Sequence, residues 1–260
     1  MKKLLFLPLL FITATLWAQD LSLYQKKEYR YAEGKVLPYR ILYPKGYDRT
    51  KKYPLVLFLH GAGERGNDNE KQLVHGSTLF LDTNNRRDFP AIILFPQCPE
   101  NSYWSTVWID RSKNPAIFDF NYDSSASWPL VAVQQLVRKV LKKEAADRKR
   151  CYVTGLSMGG MGTFELAYRF PKLFAAALPV CGGGDTIRYD KRVRKTAFWV
   201  FHGDADDVVS VNESRAMVNK LKSLHLDVKY TEYPSVNHNS WQNAFAEPSF
   251  LSWMFLHKRE

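Results

Sequence analysis

Short, mostly apolar runs recur along most of the chain, separated by stretches of helical periodicity, and few folds accommodate that alternation. The runs are Leu55 to Leu59, Ala91 to Phe95, Tyr152 to Thr154, Phe174 to Val180, Ala197 to Phe201 and Val228 to Tyr233. A strand apolar on both faces must be covered on both faces, which is the situation of strands in a parallel sheet. Between the runs, Ser127 to Lys143 places Val133, Leu136, Val137, Val140 and Leu141 on one stripe at helical spacing. Ser127 is placed to cap that helix, and Pro129 suits its first turn. Met158 to Phe170 reads as a helix stopped by Pro171, Asn212 to Leu224 is amphipathic, and Trp241 to Leu256 reads as one or two helices. Two further strands, Tyr24 to Glu33 and Val36 to Tyr43, turn at Gly34 ahead of the first run. The pattern predicts an α/β fold with a mostly parallel central sheet and helices on both faces.

The chain has 260 residues, of which 45% are hydrophobic and 24% charged, enough for one domain with a full core. Its first 18 residues stand apart. Lys2 and Lys3 precede an apolar stretch from Leu4 to Trp17, and Ala18 precedes the polar pair Gln19-Asp20. This reads as a signal peptide, with residues 19–260 forming a single domain in a secreted or periplasmic protein. No later stretch is apolar enough for membrane insertion once that segment is cleaved. The formal net charge is +11, and loss of Lys2 and Lys3 leaves 35 basic residues against 26 acidic ones. Much of the excess lies in Arg138 to Arg150 and Arg188 to Lys195. These read as two solvated faces, with attraction to an acidic polysaccharide as the sharper alternative. No nucleic-acid-binding motif accompanies them. The three cysteines, Cys98, Cys151 and Cys181, are too few for a disulfide framework, although a Cys98–Cys181 bond is open, and no Cys/His spacing suggests a metal site.

Chemistry concentrates in three places. Gly155-Leu156-Ser157-Met158-Gly159 matches G-x-S-x-G, with an apolar strand before it and a helix after it. In that setting the glycines permit a sharp turn that lifts the serine hydroxyl above the sheet. A serine hydroxyl needs a base. Of six histidines, His238 follows the last strand and can reach back over the sheet. His60 and His202 each end a strand before a glycine and read as structural, His225 and His257 as helix surface groups, and His75 precedes the nucleophile. Phe201-His202-Gly203-Asp204-Ala205-Asp206-Asp207 offers three aspartates for the acid. Asp206 is the one whose position resembles the H-G-x-x-D-x-x-V turn of related hydrolases, with Asp204 and Asp207 read as turn caps or solvent-facing groups, and it gives the chain order Ser157, Asp206, His238. The oxyanion of acyl transfer needs N–H donors, expected from Met158 and from Ala62 in the Gly61-Ala62-Gly63 loop, with Gly63 as the alternative. Pro96 to Ala126 is long, aromatic and irregular; Trp104 and Trp108 there serve either substrate contact or packing.

The segments HGAGERGND, FPQCP, GLSMGG, PVCGGGD, FHGDADDVV and YPSVNHNSW resemble secreted bacterial esterases of the phospholipase/carboxylesterase-like group. That group is often labelled "predicted peptidase" and is similar to feruloyl and acetyl xylan esterases. The likeness runs from Leu37 to Leu256 and implies the α/β-hydrolase fold and a serine esterase without metal or cofactor. It further implies that Trp241 lines the pocket beside His238. Ser210 departs from the pattern, where related turns often have proline. Acetyl or hydroxycinnamoyl esters of plant polysaccharide are the expected substrates. A prolyl oligopeptidase-type peptidase and a non-catalytic carbohydrate-binding protein on the same scaffold are the rivals.

Overall fold

A computed structural model describes residues 20–260, so the signal-peptide reading lies outside the described residues. An eight-stranded sheet runs in the order β1-β2-β4-β3-β7-β8-β9-β10. Its strands are β1 (Gln25–Ala32), β2 (Lys35–Leu42), β3 (Tyr53–Leu59), β4 (Ile92–Pro96), β7 (Ala146–Leu156), β8 (Ala176–Val180), β9 (Ala197–Gly203) and β10 (Val228–Tyr233). The last six of these are mutually parallel, while β2 is antiparallel to both β1 and β4. Two strands, β5 (Val107–Asp110) and β6 (Ile117–Phe120), form a separate antiparallel hairpin.

Among the described residues seven α-helices flank the sheet: α1 (Ser77–Leu81), α2 (Thr83–Asp88), α3 (Trp128–Lys143), α4 (Met158–Arg169), α5 (Val211–Ser223), α6 (Trp241–Ala246) and α7 (Phe250–Leu256). Ser127 caps α3, its side chain accepting from Leu130 N–H at 3.4 Å, and Ser210 caps α5 in the same manner. Period-two alternation along the strands divides the interior into two cores. Leu55, Leu57 and Leu59 of β3 join Val153, Phe198 and Val200 under α3, α4 and α5. Val56 and Phe58 join Tyr152, Trp199 and Phe201 under α1, α6 and α7. The continuous apolar runs of β3, β4, β8 and β9 therefore reflect coverage on both faces, as the sequence implied, whereas Val228–Tyr233 is a part-exposed edge strand that carries Lys229 and Glu232.

The structure departs from the sequence reading inside Pro96 to Ala126, where β5 and β6 replace an irregular loop. Their inner face carries Ile109 opposite Phe118, and both join a small cluster with Met161 and Val209. The hairpin is tied to the main body through Ala116 N–H, which donates to Val208 O at 3.3 Å. Cys98, Cys151 and Cys181 are all buried and free, so the open Cys98–Cys181 bond is absent.

Candidate active site

The parallel strands β3, β7, β8, β9 and β10 all end at the same edge of the sheet, and their C-terminal loops build one cleft. At the tip of β7 the chain reverses at Ser157, whose φ of 54° lies in the left-handed region although it is not glycine. Such a conformation costs about 1–3 kcal/mol and is held only where its surroundings fix it. Gly155 and Gly159 make the turn possible. A Cβ on Gly155 would come within 2.6 Å of Leu59 O and Gly159 O, and one on Gly159 would meet Leu59 O. Beyond the turn, α4 starts at Met158 and leaves that residue's N–H without an intrahelical acceptor.

His238 and Asp206 reach this serine from two loops that are laced together. Asp204 N–H donates to Tyr233 O at 3.0 Å, Ala205 N–H to Val236 O at 3.1 Å, and Ser235 N–H to the Asp204 carboxylate at 2.6 Å. In this frame His238 Nε2 lies 3.0 Å from Ser157 Oγ, and His238 Nδ1 lies 2.8 Å from Asp206 Oδ2. Asp206 is buried, and its Oδ1 accepts from the N–H groups of Val208 and Val209, each at 2.9 Å. Burial opposes its charge, but hydrogen bonds from His202 and His238 and from Val209 N–H outweigh burial and hold the carboxyl far below its ordinary range. Nδ1 of His238 therefore carries the proton that faces the carboxylate, and Nε2 presents a lone pair to Ser157.

Two buried histidines brace the site. His202 Nε2 faces both Asp206 Oδ2 at 3.1 Å and Val209 O at 3.0 Å, while its Nδ1 meets Ser214 Oγ at 2.7 Å. It grips the carboxylate as well as the backbone, more than the structural role read from sequence. His60 donates from Nδ1 to Gly61 O at 2.6 Å and accepts at Nε2 from Cys98 N–H at 2.9 Å. Burial pushes its pKa down to about 4, so it is a neutral strut between the loops after β3 and β4. Past it, Ala62 opens a single 3₁₀ turn (Ala62–Glu64), which again leaves a leading N–H free of any intrahelical partner. His225 and His257 lie just beyond the ends of α5 and α7, at the opposite edge of the sheet.

The cleft over Ser157 has a volume of about 170 Å³ and is lined by Ala62, Gly63, Glu64, His75, Tyr103, Arg111, Phe118, Val208, Val209, His238 and Trp241. Trp241 stands edge-on to His238, ring centres 5.5 Å apart, and contacts His75 at 5.1 Å. The other two expected tryptophans are corrected. Trp104 is fully buried, donates its indole N–H to His60 O at 3.2 Å, and packs where a Cβ on Gly162 would strike it. Trp108 is 63% exposed and does not line the cleft, because it pairs with Asp119 on the outer face of the hairpin. Tyr103 and Phe118 line it instead. The aromatic content of this loop pointed to the region, but only the inward alternation of the hairpin selects Phe118. Among the described residues, Cys181, Asp206 and His238 form a group close enough to hold a cation, but Asp206 and His238 already bond each other.

A model of the phospholipase/carboxylesterase family matches residues 47–252. The chain belongs to that family. Its fold is the α/β-hydrolase fold, and its class is that of a carboxylic ester hydrolase. A probable carboxylesterase from Oryza sativa subsp. japonica is 29% identical over 194 residues, which cover 71% of each chain. A probable feruloyl esterase C from Aspergillus terreus is 25% identical over 180 residues, 68% of this chain and 58% of the other. A solved thermostable esterase superposes with a TM-score of 0.82 at 38% identity, over 92% of this carboxylesterase-family chain. The alignment spans only 64% of that larger esterase. Among the described residues of this family member, no helix is long and apolar enough to cross a membrane.

Proposed function

We propose that the chain is a serine esterase that works through an acyl-enzyme, with Ser157 as nucleophile, His238 as base and Asp206 as its orienting acid. The observation that carries the reading is the unbroken contact chain from Ser157 Oγ through His238 to Asp206, at 3.0 and 2.8 Å. In the first half-reaction His238 Nε2 takes the hydroxyl proton as Ser157 Oγ attacks the ester carbonyl. Asp206 stabilises the imidazolium that forms. The N–H groups of Met158 and Ala62, both at the leading ends of helical turns, hold the developing oxyanion. His238 then protonates the departing alcohol, and water activated by the same imidazole releases the acid and restores Ser157.

The substrate proposed is an acetyl or hydroxycinnamoyl ester on a plant polysaccharide, met outside the cell after residues 1–18 have been removed. Support comes from the aromatic lining of the cleft by Tyr103, Phe118 and Trp241 and from the feruloyl esterase relative. A panel of 4-nitrophenyl acetate, acetylated xylan, feruloylated arabinoxylan and a prolyl peptide amide, run on wild type and Ser157→Ala, tests both levels. Cleavage of the esters by wild type alone is expected. Full activity in Ser157→Ala removes the nucleophile assignment. Faster cleavage of the peptide than of every ester makes the protein a peptidase.

A further inference from the structure

The two basic runs that the sequence presents as separate faces belong to one edge of the molecule. Each of the six parallel strands begins at the edge opposite the catalytic cleft. The segments that lead into or open those strands are residues 43–52, 82–91, 142–150, 170–175, 190–196 and 220–227, and the chain end 257–260 returns to the same place. Together they carry twenty lysines and arginines against eight carboxylates. The remaining described residues carry fifteen against eighteen, so the whole positive excess of the described chain sits on this edge.

The segments are stitched to one another. Arg150 donates to Lys52 O at 3.0 Å, Arg259 N–H to Lys149 O at 2.8 Å, and the Arg259 guanidinium to Pro171 O at 2.8 Å and Phe174 O at 3.1 Å. Between them lies a groove of about 310 Å³ walled by Arg194, Lys195, Lys258 and Arg259, with Asp227 and Glu260 also on its wall. Cations are favoured near helix C-termini, which accounts for Lys142, Lys143, Lys220 and Lys222 at the ends of α3 and α5. It does not account for Lys52, Arg148, Lys149, Lys172, Arg194 and Lys258. These six are exposed, belong to no α-helix, and make no ion pair among the described residues.

We propose that this edge is a docking face for an acidic polysaccharide, whose repeated carboxylates neutralise the exposed lysines and arginines while the groove takes one uronate residue. The inference goes beyond the esterase reading and does not depend on the triad. Charge complementarity selects a polyanion. Of the other polyanions, single-stranded nucleic acid favours aromatic stacking partners, and among the described residues the only strongly exposed aromatic one is Trp108, on the hairpin at the opposite edge. A lipid surface takes inserted apolar side chains, and beside the patch, among the described residues, only Leu256 is more than half exposed, with Leu23 at 46%. The strands hold the patch about 20 Å from Ser157, since seven residues of β9 rise about 3.3 Å each. An anchored molecule therefore keeps its cleft open to neighbouring chains.

The test is equilibrium binding of fluorescently labelled oligogalacturonate to the full chain at low and high salt. Saturable binding that weakens steeply with salt is expected. Lys149→Glu/Arg194→Glu/Lys258→Glu should weaken it roughly tenfold or more with kcat/KM on 4-nitrophenyl acetate unchanged. The single Lys258→Glu at the chain end should shift it less, in the same direction. Lys35→Glu/Lys71→Glu/Lys113→Glu, an equal change of net charge elsewhere, should leave most of the binding. Absence of oligogalacturonate binding overturns the proposal. So does an equal loss in the second triple variant, or tighter binding to duplex DNA or to phosphatidylserine/phosphatidylcholine vesicles.

Discussion

The two edges of the sheet use ionisable side chains in opposite ways. At the edge that carries the proposed triad His60, His202 and Asp206 are buried, and each has specific partners within about 3 Å. At the basic edge the charges are exposed, and most lack a partner. In the first setting low polarity makes each contact strong, directional and intolerant of loss. In the second, water and salt screen each charge, and only the sum over many is felt. The difference teaches that function at one edge should fail one residue at a time, and at the other only by increments.

The largest effect expected is for Ser157→Ala, which should lower kcat on 4-nitrophenyl acetate roughly 10⁵–10⁶-fold while leaving the melting temperature within a few degrees. Asp206→Asn comes next. It keeps the shape but disturbs the tautomer of His238, and kcat should drop roughly 10³–10⁴-fold; a loss under tenfold would show that Asp206 does not orient the base.

Acid stability gives the next contrast. His60 titrates near 4 when folded and near 6.5 when unfolded, so the unfolded chain takes up its proton first. The stability that neutral His60 contributes is fully present above about pH 6.5 and is lost as pH falls from there towards 4, by about 3 kcal/mol. Asp206, with its folded pKa depressed, adds a second loss as pH falls below about 4. Urea midpoints measured across this range should fall in both windows. A midpoint flat between pH 6.5 and 4.5 would mean that His60 is not held neutral.

The smallest effects separate inner from outer surfaces. Trp241→Ala should reduce kcat/KM on a feruloyl ester by about tenfold, because Trp241 packs against His238 and lines the cleft, whereas Trp108→Ala on the outer face of β5 should change it by less than about twofold. Equal losses in both would mean that the hairpin turns inward on substrate.

Much of the site is legible without coordinates because its residues sit at topologically forced positions. A serine between β7 and α4 must lie at the tip of a parallel strand, and loops after neighbouring parallel strands must meet there. The supporting residues are less legible. Glu165 is an example: a fully buried carboxylate in the middle of α4, it accepts from Ser105 Oγ at 2.7 Å, Thr106 N–H at 2.6 Å and Arg169 at 2.6 Å. Arg169 is within reach one turn on, but an i,i+4 pair of that kind is equally common on a solvent-facing helix surface, and the partners that bury the carboxylate, Ser105 and Thr106, lie about sixty residues away. Trp104 and Trp108 likewise share one aromatic stretch but meet opposite fates: Trp104 is buried against His60 and Gly162, whereas the pleat of a hairpin that the sequence left irregular turns Trp108 outward.

The amino-acid sequence alone determined the layered α/β architecture, the elbow at Ser157 and the chain order of its partners, because local periodicity and turn chemistry act over a few residues. Only the tertiary structure decided which aromatic side chains wall the cleft, how His60, His202 and Glu165 brace it, and that the scattered basic segments share one edge. Those outcomes depend on contacts between segments far apart in the chain, where the energy of a side chain is set by what the fold brings against it.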